Sequence, residues 1–122
     1  MNFRFSKRMR LLRPAEFSRV MAARSSAADG MLRMYAAASE LDHPRLGLTV
    51  SRKVGAAVVR TRWERGVREA FQLVQDELPA LDLVCLPHRT SEPDVQRLRE
   101  SLVKLSRQLE ARLASRGRRS EA

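Results

Sequence analysis

The stretch LGLTVSRKVGAAVVRTRWERGVREAF, Leu46 to Phe71, decides the fold, because its hydrophobic period changes partway along. Up to Ser51 the side chains alternate. Leu46, Leu48 and Val50 fall on one side and Gly47, Thr49 and Ser51 on the other, the two-residue period of a strand. From about Ala56 the period lengthens. Val59, Trp63, Val67, Ala70 and Val74 then share one side at helical spacing, and Pro79 ends the element after Leu78. Gly66 inside this helix costs up to about 1 kcal/mol relative to Ala, so close packing or the close approach of a bound partner is expected there.

Upstream, Arg13-Pro14-Ala15-Glu16 reads as a helix start, with Pro where a missing N–H matters little. Phe17, Val20 and Met21 form one face of a short helix ending near Ser25-Ser26. Asp29-Gly30 is a turn signal, and Met31 to Ser39 reads as a strand, with Leu32, Met34 and Ala36 alternating against Arg33 and Tyr35. The connection Leu41-Asp42-His43-Pro44 is short, so this strand and Arg45–Ser51 are expected to pair antiparallel.

Downstream, Leu81 to Leu86 is an almost continuous apolar run, read as a central strand buried on both faces. Pro87 to Pro93 reads as loop. A second long helix is expected from about Asp94 to Leu113, with Val95, Leu98, Leu102, Leu105 and Leu109 on one stripe. The order is α-β-β-α-β-α, with room for one extra short strand: an α+β two-layer sandwich. One domain is expected over residues 1–114, followed by a polar, disordered tail over 115–122.

The charge is strongly and unevenly basic: 24 Lys+Arg against 14 Asp+Glu, a formal +10. Residues 1–24 and 45–68 each carry +6, while the last 54 residues balance. Two positive blocks suggest one or two surfaces facing a polyanion. Only Lys7, Lys53 and Lys104 are lysines, and the arginine fork matches phosphate geometry better than an ammonium does. No stretch reaches the roughly 18 apolar residues of a membrane span, so nucleic acid is favoured over membrane. The N-terminal block is Arg-rich and partly amphipathic like a transit peptide, but Phe17 finds a better use below. The single cysteine, Cys85, allows no intramolecular disulfide; it reads as a buried, inert thiol in a cytoplasmic protein.

The usual signatures of catalysis are missing. His43 and His88 have no metal-ligand spacing around them, the acids are scattered, and no Gly-rich phosphate loop or nucleophile elbow is present. A self-contained nuclease needs a carboxylate cluster or a histidine acid–base pair. No side chain is therefore expected to be catalytic or to bind metal. The chemistry that is present lies on the Ala56–Leu78 helix. Thr61, Glu64, Arg65, Arg68 and Gln72 oppose its apolar stripe, with Arg60 and Arg62 flanking. Each arginine can fork onto a phosphate, and the first-turn N–H groups add a second anion site. Such a face suits a phosphate backbone better than base edges.

Leu46-Gly47-Leu48-Thr49-Val50-Ser51-Arg52-Lys53-Val54-Gly55, followed by Ala57-Val58-Val59-Arg60-Thr61-Arg62 and Arg65-x-x-Arg68-Glu69-Ala70-Phe71, resembles the signature of the bacterial ribonuclease P proteins. Lys7-Arg8-x-Arg10-Leu11, Glu16-Phe17-x-x-Val20 and Asp82-Leu83-Val84 extend the resemblance over residues 5–105. It implies a small sheet with a left-handed βαβ crossover and an open groove. It also implies a binding subunit, with catalysis left to a partner, ribonuclease P RNA, whose phosphates hold Mg2+. The family's basic helix corresponds here to Arg52, Lys53, Arg60, Thr61, Arg62, Arg65 and Arg68, which would meet the catalytic RNA. A groove with Phe17, Met21 and Tyr35, with Arg8, Arg10 and Ser51, would take the single-stranded 5′ leader of precursor tRNA. Aromatic platforms suit unpaired RNA, since stacking contributes about 1–3 kcal/mol per base. Oligomerisation is not required.

Three positions depart from the family pattern. Thr61 stands for an Asn, Glu64 for a Lys, and Met21 for a frequent aromatic. Glu64 could pair with Arg60 or Arg68 at i±4. The competing class is a ribosomal or other structural small basic RNA-binding protein; a stand-alone nuclease and a helix-turn-helix DNA binder fit less well.

Overall fold

The computed structural model describes residues 7–88 and 92–121, with side chains to 116. A four-stranded sheet carries three helices, in the order α1 (Pro14–Ala22), β1 (Ser26–Ala28), β2 (Leu32–Ala38), β3 (Arg45–Leu48), α2 (Ala57–Val74), β4 (Leu81–Pro87) and α3 (Val95–Glu121). The extra short strand is β1. Arg24 takes a positive φ of 55°, which ends α1 three residues before its expected limit and turns the chain into β1.

The sheet order is β1-β2-β4-β3. The expected hairpin between β2 and β3 does not form. β4 lies between them, antiparallel to β2 and parallel to β3. The reason is burial. Five consecutive residues of β4, Leu81 to Cys85, are buried, so this strand gains most from a central place with both faces covered. The six residues between β2 and β3 easily cross the roughly 10 Å of two strand spacings. The helix α2 is then the crossover between the parallel pair β3 and β4.

Leu32, Met34, Ala36, Leu46, Leu81, Leu83 and Cys85 face α2 and α3, where Trp63, Val67, Phe71, Leu98, Leu102, Leu105 and Leu109 complete the main core. Gly66 is a packing glycine: an added Cβ would stand 3.2 Å from the Pro93 side chain and 3.4 Å from Leu98 Cδ1. Cys85 lies in this core, and burial pushes its thiol up to about 12. The opposite face carries a smaller cluster of Leu11, Val20, Ala37 and Val84 under α1. The two full layers thus have α1 as a partial third, and the uncovered part of that face remains open.

Two polar clusters lock the edges. Asp29 accepts from Met31 N, Leu32 N and Ser101 Oγ (2.9, 3.0 and 2.6 Å) and pairs with Lys104. Burial opposes its ionisation, but these bonds prevail and hold the carboxyl at about 2. The helix α3 does not end at Leu113 in a disordered tail but continues to Glu121. Arg112 donates to Ser26 O, and Arg116 to Ala23 O (2.8 Å) and Arg24 O (3.4 Å), tying its last turns to the α1–β1 bend. The side chains of Arg118 and Arg119 lie outside the described residues, as do residues 89–91 of the expected loop.

Candidate nucleic-acid interface

The open face is organised in rows that run across the strands. In the first row Ala37, Asp82 and Arg45 are neighbours. Asp82 is fully buried, and Arg45 grips it with Nε at 2.8 Å and Nη2 at 2.7 Å. Arg19 of α1 pairs with the same carboxylate and donates to Ala38 O. Arg45 also reaches Glu16 Oε2 at 2.7 Å, while Glu16 Oε1 accepts from Leu12 N and Arg13 N at the start of α1. Those backbone donors, with Arg45, hold the Glu16 carboxyl below its ordinary value; the Asp82 bonds raise Arg45 above its own. The network pins α1 across the first row.

The next row is Ser26, Tyr35, Val84 and Gly47, all in register. Phe17 lies on Gly47 so closely that a Cβ there would be 2.7 Å from its ring. Both Phe17 and Tyr35 are half-buried, separated by two strand spacings, roughly 10 Å. Met21, four residues after Phe17 on α1, is 38% exposed. Arg33 and Leu86 form a further row, with Arg33 exposed. The predicted groove residues Phe17, Met21 and Tyr35 therefore share one face. Ser51 lies past the end of β3, where its Oγ accepts from Lys53 N. Arg8 and Arg10 stand exposed at the outer edge of β3, where Arg10 bridges to Leu46. Arg33 was not among the expected groove residues, although its alternation with Tyr35 in the strand puts both on one side.

The second basic surface is the outer side of α2. Arg65 and Arg68 are exposed and, among the described ion pairs, have no acid partner. Arg60 is half-buried, with a shielded Nε that has no acceptor. Arg62 pairs with Glu92 at 3.2 Å, both exposed. Thr61 Oγ1 donates to Ala57 O at 2.9 Å, leaving its lone pairs as acceptors. Glu64 pairs with neither Arg60 nor Arg68. Arg52 and Lys53 extend the surface on a short 3-10 turn, and the α2 N-terminus at Ala56 has no side-chain cap. Ala57, Val58, Thr61, Arg62 and Arg65 line a shallow depression on this side.

Fold and surfaces together define a class: small basic α+β proteins with half-buried aromatic rings on one sheet face and a separate arginine helix, both suited to a polyanion. The family model described as Ribonuclease P matches residues 5–110. The ribonuclease P protein component of Salmonella paratyphi A is 40% identical over 105 residues, spanning 84% of this chain and 88% of the relative. That of Salmonella typhimurium is 39% identical over the same shares. A Staphylococcus aureus RNase P protein, a mutant with defective mRNA degradation activity, aligns with TM-score 0.72 at 28% identity, covering 80% of this chain and 87% of that one. The RNase P protein from Thermotoga maritima gives 0.71 at 28%, covering 80% and 96%. The chain belongs to the ribonuclease P protein family, the protein components of a tRNA-processing endoribonuclease.

Proposed function

We propose that the chain acts as the RNA-binding subunit of its ribonuclease P, joining ribonuclease P RNA through α2 and holding the precursor-tRNA 5′ leader in the groove. The observation that carries this reading is the pair of half-buried aromatic rings, Phe17 and Tyr35, on one open row of the sheet. Single-stranded RNA stacks on such rings, while arginines along the rim meet its phosphates. On α2 and the turn before it, Arg52, Lys53, Arg62, Arg65 and Arg68 face solvent, with Arg60 half-buried among them. The other side of α2 is locked into the core. A rigid cationic rod of this kind positions an RNA backbone by reducing phosphate repulsion between the two RNAs.

Catalysis falls to the RNA. Among the described residues no three His, Cys, Asp or Glu side chains are grouped to hold a metal ion, and the buried carboxylate Asp82 is saturated by arginines. The donor set does not fit a resident Mg2+, so the ions that the cleavage uses are assigned to RNA phosphates. No helix among the described residues is long and apolar enough to cross a membrane. We place the complex in the cytoplasm, with one protein copy sufficient.

The test is precursor-tRNA cleavage by cognate ribonuclease P RNA at limiting magnesium, with and without the protein. Correct 5′ cleavage that depends on both components supports the reading. Arg65→Ala should weaken assembly with the RNA, and Phe17→Ala should weaken binding of precursor but not mature tRNA. Equal losses by both variants in both assays would sink the assignment of the two surfaces.

A further inference from the structure

The helix α1 carries two of the proposed groove residues, Phe17 and Met21, and its two ends are held by different means. The first half is fixed by Arg45 on Glu16, by Arg19 on Asp82 and by Phe17 against Gly47. The last turn ends on Ala22-Ala23-Arg24, without the glycine that commonly closes a helix. Arg24 itself takes the left-handed conformation, φ 55°. A residue with a Cβ is disfavoured there and stays only where surrounding contacts impose it. Those contacts come from the far end of the chain. Arg116 donates to Ala23 O at 2.8 Å and to Arg24 O at 3.4 Å, and Arg112 donates to Ser26 O. Guanidinium groups at this place also face the negative end of the α1 dipole.

Arg112 and Arg116 are four residues apart, so one side of α3 presents both. The helix behind them is firmly seated. Leu102, Leu105 and Leu109 are fully buried, and Leu113 packs against the same core. Ser26, whose carbonyl Arg112 holds, is in register with Tyr35. A single seated helix therefore fastens both the end of α1 and the strand beside Tyr35. Both arginines lie beyond residue 110, where the family match stops. We propose that Arg112 and Arg116 are positioning residues for RNA binding: the last turns of α3 form a strap that sets how α1, with Met21, stands over the Tyr35 row. The strap serves precursor binding only if the groove takes the leader, as read above.

The experiment uses full-length Arg112→Ala/Arg116→Ala in the holoenzyme. Its affinity for precursor tRNA should fall roughly three- to fivefold, the scale of one modest hydrogen bond. Affinity for mature tRNA and assembly with ribonuclease P RNA should not change. Amides of α1 should exchange hydrogen faster, while those of α2 keep their protection. The salt dependence of precursor binding should match wild type, because a positioning residue neutralises no phosphate. Arg112→Lys/Arg116→Lys keeps a donor at each place and should recover most of the affinity. Val103→Ala removes packing from a half-buried position elsewhere on α3, and it should lower stability but leave precursor affinity intact. Unchanged protection of α1 overturns the strap, and so do equal losses for precursor and mature tRNA. A shallower salt dependence overturns it too, since the arginines would then touch phosphate directly. An equal loss of precursor affinity in Val103→Ala would reduce the effect to stability alone. A loss with Phe17→Ala but none with Arg112→Ala/Arg116→Ala overturns the strap and spares the leader reading. If Phe17→Ala also leaves precursor binding intact, the leader reading itself fails.

Discussion

Around Asp82, arginine serves a buried carboxylate; along α2, it faces solvent, and among the described ion pairs only Arg62–Glu92 involves it. Arg45 and Arg19 converge on a carboxylate of zero exposure, and Arg45 continues to Glu16. Arg65 and Arg68 have no such partner, and the pair that Arg62 makes with Glu92 is exposed. Arg19 comes from the first +6 block and Arg45 from the second, so the composition of the blocks does not tell these two arginines from Arg65 and Arg68. What separates them is burial. A buried ion pair broken on one side leaves an uncompensated charge, whereas an exposed pair is worth little.

The strongest challenge to this contrast is Arg45→Ala. It leaves buried Asp82 with Arg19 alone and should cost about 3–5 kcal/mol in denaturant unfolding. Arg65→Ala/Arg68→Ala should stay within about 0.5 kcal/mol of wild type in the same assay. Comparable losses would erase the distinction.

Acid titration sharpens it next. Asp29 has a folded value of about 2 against 3.8 for the free group, so its contribution is present above 3.8 and disappears as pH falls from there through 2. The loss should be about 2 kcal/mol. Asp29→Asn should flatten unfolding free energy over that window, leaving the smaller slope of Glu16, whose carboxyl is lowered in the same direction. On the binding side, Arg65→Ala should reduce affinity for ribonuclease P RNA by about tenfold, or 1.4 kcal/mol, with a shallower salt dependence. The smallest effect belongs to Arg112→Ala/Arg116→Ala, about 1 kcal/mol of stability for the missing bonds to the α1–β1 bend. Hydrogen exchange at Ser25 to Ala28 should rise with it.

Much of this molecule was legible in residue spacing. The stripes of α2 and α3, the alternation in β2 and the doubly buried strand at Leu81–Leu86 follow from which side chains need burial, and their apolar residues lie in the two core clusters or pack against them. Phe17 and Tyr35 were singled out together only through the family resemblance, and Gly66 as a place of close packing or close partner approach, of which the structure shows packing. Strand pairing was not. Local periodicity says which face of a strand is apolar but not which strand lies beside it, and β4, more than thirty residues downstream of β3, displaced the expected hairpin.

The amino-acid sequence by itself determined the elements, the family and the two basic blocks, because these depend on the order and period of side chains along the chain. Only the tertiary structure decided what each charge does. Asp82 lies in an apolar run and Arg45 follows a proline 37 residues earlier; nothing local couples them. Their meeting depends on the parallel register of β3 and β4, which places them opposite each other on the face that α1 covers. Whether a charge is buried and paired or exposed and free follows from such long-range geometry.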